Sequence, residues 1–338
     1  MYPNQLPPPI STHPIVRAAA LVGLVCVGLN DGSAVAQTIT VTSVRANAPD
    51  IGRIVSAPKR ATVFRIAPTG EVSIESGSGV RLGAGNASPA LVTIRCGGGS
   101  NATCPSTTVT VSVAGTPTGR AQSLSNFTIG GGTNPPPMST PKGKNSISFT
   151  IDGALKSTTY DFYVGMDLPI SGDDSSGTTG LATSSFSVSV PASSLTGTAV
   201  ATVFRPIGLA ANSSLDFGMI VRPKTGIATV SIDPSTGVRT VTGGAAALSV
   251  PIPHPATFTV SGEGGQSFSI SVPAFDLVGK KTNLTVTPST APFGSAALTG
   301  ALGANGSATI SVGGSVAISD STPPGQYTGT VTVTVQYN

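Results

Sequence analysis

Residues 327–337 read Tyr-Thr-Gly-Thr-Val-Thr-Val-Thr-Val-Gln-Tyr. Val331, Val333 and Val335 fall on one face and Thr330, Thr332 and Thr334 on the other, because successive side chains of a strand point to opposite faces. Such a segment has one dry side and one wet side. Pro323-Pro324-Gly325 ahead of it is a turn signal that no regular element runs through. The pattern predicts a strand over residues 326–337. A strand of that length does not hold itself and needs neighbours on both edges plus a facing sheet.

Shorter alternating segments recur upstream, at residues 228–232, 257–261, 267–272, 283–287 and 308–312. Gly 42 and Pro 28 together far exceed ordinary usage, roughly 12% of residues. That composition fits either disorder or a turn-dense β protein, and the repeated alternation selects the second. No stretch sustains a helical period. Seven or more short strands separated by Gly, Pro and Asn turns predict an antiparallel β-sandwich, with a barrel as the alternative.

The pattern occurs twice. Ile51-Gly52-Arg53-Ile54-Val55 reappears as Phe217-Gly218-Met219-Ile220-Val221, and Pro89-Ala90 as Pro255-Ala256. Asn126 and Thr128 correspond to Asn283 and Thr285, and Val164-Gly165 and Ile170-Ser171 to Val312-Gly313 and Ile318-Ser319. The matches keep their order while their spacing shrinks, which is the signature of two tandem copies. They predict a first domain over residues 37–192 and a second over residues 198–338. The opening strand at residues 37–45 then aligns with residues 201–209. The first copy carries two insertions, and insertions are tolerated in surface loops. One holds Cys96 and Cys104; the other, residues 130–145, holds Lys142 and Lys144 in a Pro-rich, polar context.

The first 36 residues read as a signal peptide. Arg17 precedes an apolar run at residues 18–29, and Ala34-Val35-Ala36 is a small-x-small cleavage site, so cleavage is expected after Ala36. The run is too short to span about 30 Å of hydrocarbon. Cys26 lacks the preceding small residue that lipidation needs. The chain is therefore expected to be exported, to the periplasm, the outer surface or an extracellular fimbria of a Gram-negative bacterium, without a transmembrane span in the mature form.

Net charge is +4, with basic residues scattered singly and no tryptophan. Nucleic-acid binding wants a basic stripe with aromatic platforms, and is excluded on that pattern. His13 leaves with the signal peptide, and His254 lies between two prolines with no triad or metal partner nearby in sequence. Asp173-Asp174 lacks the alternating carboxylates of a calcium loop and reads as a solvated turn; Lys280-Lys281 reads as a hairpin tip. No positioned acid, base or nucleophile emerges, so no catalytic, cofactor or metal site is expected. Cys96 and Cys104, flanked by alternating segments in an exported chain, are expected to form a disulfide stapling a hairpin loop.

The second copy resembles the bacterial domain of unknown function 4402. The residues carrying the resemblance are Leu215-Asp216-Phe217-Gly218 with Ile220-Val221, Ser235-Thr236-Gly237, the run at residues 256–262, and Pro324-Gly325 with Tyr327, Gly329 and the final strand. The first copy is a degenerate version without the Asp-Phe-Gly and the Pro-Gly-x-Tyr. The final strand is also similar to spore coat protein U and the archaic chaperone–usher pilins. That similarity implies immunoglobulin-like exported subunits, some assembled into fibres by donating a strand to a neighbour's open sheet, with a periplasmic chaperone, an usher and neighbouring pilin subunits as partners; with the repeat, the fold expected is two tandem immunoglobulin-like antiparallel sandwiches. Because residues 37–45 align with the second copy's own first strand, no spare donor strand precedes them.

The function expected is an exported, non-enzymatic structural or adhesive component of the cell surface, of the fimbrial tip or adhesin type. The alternative is a self-contained ligand-binding module of the periplasm or surface. The first predicts an incomplete sheet in the second copy, the second a complete one. Lys142 and Lys144 are the candidate partner contacts.

Overall fold

The computed structural model describes residues 38–83, 85–97, 103–153, 158–175 and 177–338. The expected signal peptide lies outside them. The described residues form strands and no helix, and thus no helix able to cross a membrane.

The N-terminal strands are β1 (Ile39–Val44), β2 (Asp50–Val55), β3 (Thr62–Ile66), β4 (Val72–Ser76), β5 (Val80–Leu82) and β6 (Ala90–Cys96). They continue with β7 (Thr107–Thr118), β8 (Ser125–Gly131), β9 (Lys142–Gly143), β10 (Ser146–Ile151), β11 (Thr159–Ile170), β12 (Gly180–Val190) and β13 (Ser193–Phe204). One sheet has the order β1-β6-β11-β3-β4, with β8 also on β11; the other runs β5-β2-β13-β12-β7-β10-β9. Alternate residues of both sheets enter one continuous core that includes Ile54, Phe64, Val92, Val111, Phe162 and Phe186, all fully buried. This is a sandwich, held by the side-chain alternation that period two imposes.

The C-terminal strands are β14 (Gly208–Ser213), β15 (Ile220–Val221), β16 (Ile227–Ile232), β17 (Arg239–Val241), β18 (Ala246–Ala247) and β19 (Ala256–Glu263). After them come β20 (Ser267–Ser271), β21 (Phe275–Val278), β22 (Asn283–Ala291), β23 (Ser295–Ala297), β24 (Asn305–Ser319) and β25 (Thr334–Tyr337). The main sheet is β14-β19-β24-β16-β17, with β22 on β24 and β21 on β22. Opposite it lie two fragments, β23-β20-β25 and β15-β18.

Local chemistry repeats between the halves. Asp50 Oδ1 accepts the Gly52 N–H at 2.8 Å, and Asp216 Oδ1 accepts the Gly218 N–H at 2.7 Å. Both glycines sit at positive φ, 77° and 72°, where a Cβ is disfavoured. Gly165 and Gly313 also correspond. In β11 the partner changes from β6 to β3 around Gly165, and in β24 from β19 to β16 around Gly313. At each switch the carbonyl ending the neighbouring strand, Ile66 or Ile232, presses where a Cβ would be.

Three expectations need correcting. Residues 198–204 do not open the second domain: they belong to β13, which pairs along its whole length with β12 in the N-terminal sandwich. The second domain's first strand is β14, the counterpart of β1, which pairs with β19 as β1 pairs with β6. The alternation in β13 was real, but a tight connection after β12 captured it for the first domain.

The strand expected over residues 326–337 is regular only from Thr334, because residues 329–333 have no ladder partner on either edge among the described residues. Finally, Cys96 and Cys104 do form a disulfide, with Cα atoms 5.9 Å apart, but not across a hairpin. β6 and β7 lie in different sheets, so the bridge closes the crossover from one layer to the other, with both cysteines buried.

Candidate functional site

The two sandwiches differ at the short strands β9 and β21, which have no counterparts, and at one central strand position. In the N-terminal one, β13 lies between β12 and β2, antiparallel to the first and parallel to the second. In the C-terminal one, β25 pairs with β20 as β12 pairs with β7, and β15 pairs with β18 as β2 pairs with β5. Nothing among the described residues takes the place of β13. β15 and β25 each keep one edge without a ladder partner.

Burial records the consequence. Ala182, Ser184, Phe186 and Val188 of β12 are fully covered, whereas Val331, Val333, Val335 and Tyr337 are only half-buried. The core is also divided in two. One part gathers Phe258, Phe268, Ile310 and Val312, and the other Val230, Val286 and Val316. Between them opens a groove of about 740 Å³, with residues 214–217 on one side, residues 326–331 on the other, and Phe258, Phe275 and Leu277 in its lining. A cleft with both polar and apolar side chains in its lining, beside unpaired backbone, is unusual for a finished sandwich.

A separate polar cluster ties the two domains together. Glu263, fully buried, pairs with Arg205 at 3.2 Å and also accepts the Arg205 and Gly303 backbone N–H groups. Arg205 also donates to the Thr179 hydroxyl at 2.6 Å, reaching back into the N-terminal half. The Tyr337 hydroxyl accepts the Glu263 N–H at 2.7 Å, and its ring lies 5.8 Å from that of Phe204. Burial pushes the Tyr337 phenol above its ordinary pKa. The end of β25 is thereby tied to the end of β13.

The residues singled out in the sequence do not converge. His254 exchanges backbone hydrogen bonds with Asp216 and leaves its imidazole exposed. Asp173 is more than a solvated turn: it pairs at 2.6 Å with Arg120, whose side chain is buried and also reaches Ser56 and the Gly177 carbonyl. Lys280 and Lys281 do occupy the β21–β22 hairpin tip. Lys142 and Lys144 are exposed, on and after the edge strand β9.

Their segment is not a free loop. Asn134 and Asp161 exchange hydrogen bonds, Ser139 and Thr150 do the same, and Met138 packs on the core. Elsewhere Asp167, buried on the first sheet, is satisfied by bidentate Arg65 at 2.8 and 3.0 Å and by Asn126. Among the described residues no three His, Cys, Asp or Glu side chains gather to hold a metal ion.

The fimbrial reading expected an incomplete sheet in the second copy, but the residues lining the groove were not singled out, because alternation marks strands and not the gaps between them. The only available signal was a mismatch in strand number between the copies. No curated protein matches the chain. Residues 207–337, which span this C-terminal sandwich from just before β14 to β25, match the family described as a domain of unknown function, DUF4402.

Proposed function

We propose that the protein is an exported, non-enzymatic structural or adhesive component of the cell surface, a fimbrial tip or adhesin-like subunit. One observation carries this reading: among the described residues, nothing in the C-terminal sandwich takes the place of the strand that completes the N-terminal one. An unpaired strand edge is a liability in a protein that works alone, and an attachment point in one that assembles. The complete N-terminal sandwich then faces outward, with exposed Lys142 and Lys144 as contacts for the surface it meets. A periplasmic chaperone that covers the open position before assembly is the expected partner.

The reading is tested in cells that make the protein. Surface structures are sheared off and resolved in denaturant, unboiled and boiled. Recovery in high-mass assemblies that dissociate only on boiling supports it. Recovery solely as a monomer inside the envelope would overturn it in favour of a self-contained binding module.

A further inference from the structure

We propose that residues 326–338 form a strap across the cleft, fastened at its far end to the joint between the two sandwiches, so that access to the cleft depends on that joint. The proposal goes beyond the assembly reading and stands without it.

The strap has two anchored ends and a loose middle. At the near end the Tyr327 hydroxyl donates to the Pro323 carbonyl at 2.7 Å, and Thr328 exchanges backbone hydrogen bonds with Val278 of β21. The far end is β25, four residues long, with β20 as its one ladder neighbour. Between them residues 329–333 have no ladder partner, although residues 326–331 form one wall of the cleft. Val331, Val333 and Val335 are half-buried against the cluster that holds Ala256 and Phe258, both in the cleft lining. A segment with few backbone bonds and half-covered side chains opens locally more readily than the strands around it.

The fastening is a clasp shaped to one side chain. The Tyr337 hydroxyl accepts the Glu263 N–H at 2.7 Å and donates to the Arg205 carbonyl at 3.0 Å, with its ring 5.8 Å from Phe204. Gly262 leaves room for it: a Cβ at that position would meet the Tyr337 hydroxyl. One residue further, Arg53 of β2 donates to the Asn338 backbone oxygen at 3.2 Å. Phe204 and Arg53 belong to the N-terminal sandwich, and Arg205 to the connection that leaves it. The last two residues of the strap therefore rest on the first domain, and releasing them leaves β25 held by its short ladder with β20.

The test follows hydrogen exchange by mass spectrometry in the compact unit of residues 37–338, together with the labelling rate of a thiol placed in the cleft by Ala256→Cys. Ala256 is 1% exposed. Cys96 and Cys104 are bonded to each other, so the introduced thiol is the only free one in that unit. Tyr337→Phe and Gly262→Ala should each speed exchange across residues 329–338, and labelling of the thiol, about tenfold, the factor that losing one or two hydrogen bonds gives. Exchange in β16 and β24 should stay at the wild-type rate. Arg53→Ala, on the N-terminal sandwich, should act in the same direction by about threefold.

Unchanged exchange across residues 329–338 in both clasp variants would overturn the proposal. Faster exchange without faster labelling would also overturn it, since the strap would then not cover the cleft. Val230→Ala lies in the other half of the core and weakens the domain without touching the clasp. Equal acceleration of thiol labelling by that variant, at matched loss of stability, would mean whole-domain opening and sink the strap.

Discussion

The Tyr337 hydroxyl donates to the Arg205 carbonyl oxygen at 3.0 Å, joining the last strand of the chain to the segment that links the two sandwiches. The phenolic oxygen of Tyr337 in turn accepts the Glu263 N–H, so one phenol satisfies two backbone groups where the domains meet. Tyr337→Phe keeps the ring against Phe204 and strands both partners. A loss of about 1–2 kcal/mol in C-terminal domain stability is expected, read as a lower urea midpoint for that domain.

The same residue gives an alkaline signature. Burial raises the Tyr337 pKa above its ordinary 10.0, so the folded state favours the neutral phenol. Its stabilising contribution is complete below pH 10 and declines as pH climbs through the raised folded value. Urea midpoints of the wild type should converge on those of Tyr337→Phe over that interval. A constant gap between the two would contradict the assignment.

Asp233 supplies an acid counterpart in the β16–β17 turn. The Ser235 hydroxyl, then the Thr236 backbone and hydroxyl and the Ser235 N–H, pull its pKa from 3.8 to about 2. Stability from this turn should be fully present above pH 4 and disappear as pH falls toward 2, since protonation silences the acceptor. NMR titration of the Asp233 carboxyl checks the value directly. An unshifted midpoint would remove the turn network from consideration.

Reducing the Cys96–Cys104 bridge should loosen the N-terminal sandwich and leave the C-terminal one unchanged. The sequence separation is 8, and the chain-entropy estimate for so short a ring is about 2–3 kcal/mol. The fold should survive, because the two strands concerned each pair with other neighbours. Intact mass with and without alkylation establishes the bridge, and separate melting of the two domains locates its effect.

Gly313→Ala and Gly52→Ala separate two uses of glycine. At Gly313 the Ile232 carbonyl occupies the Cβ position, and overpacking against backbone should cost about 1–3 kcal/mol, toward the upper end. At Gly52 nothing lies near the Cβ, and only the positive φ is strained, for about 1 kcal/mol. Equal losses at the two sites would mean that the Gly313 backbone gives way.

The sequence alone determined the class of fold, the duplication and the disulfide. Each rests on short-range information: period-two alternation, turn residues, repeated local motifs such as Asp50 with Gly52 and Asp216 with Gly218, and two cysteines close in sequence between alternating segments. Strand membership was a different matter. Residues 193–204 carry as good a strand pattern as any, but pattern does not say which sandwich receives them; only pairing with β12 and β2 does. The valines at 331, 333 and 335 likewise announce a buried face, and the tertiary structure leaves that face half-covered. Alternation reports what a strand would bury if flanked. Whether a flanking strand exists is a property of the assembled sheet, and among the described residues none takes that place beside β25.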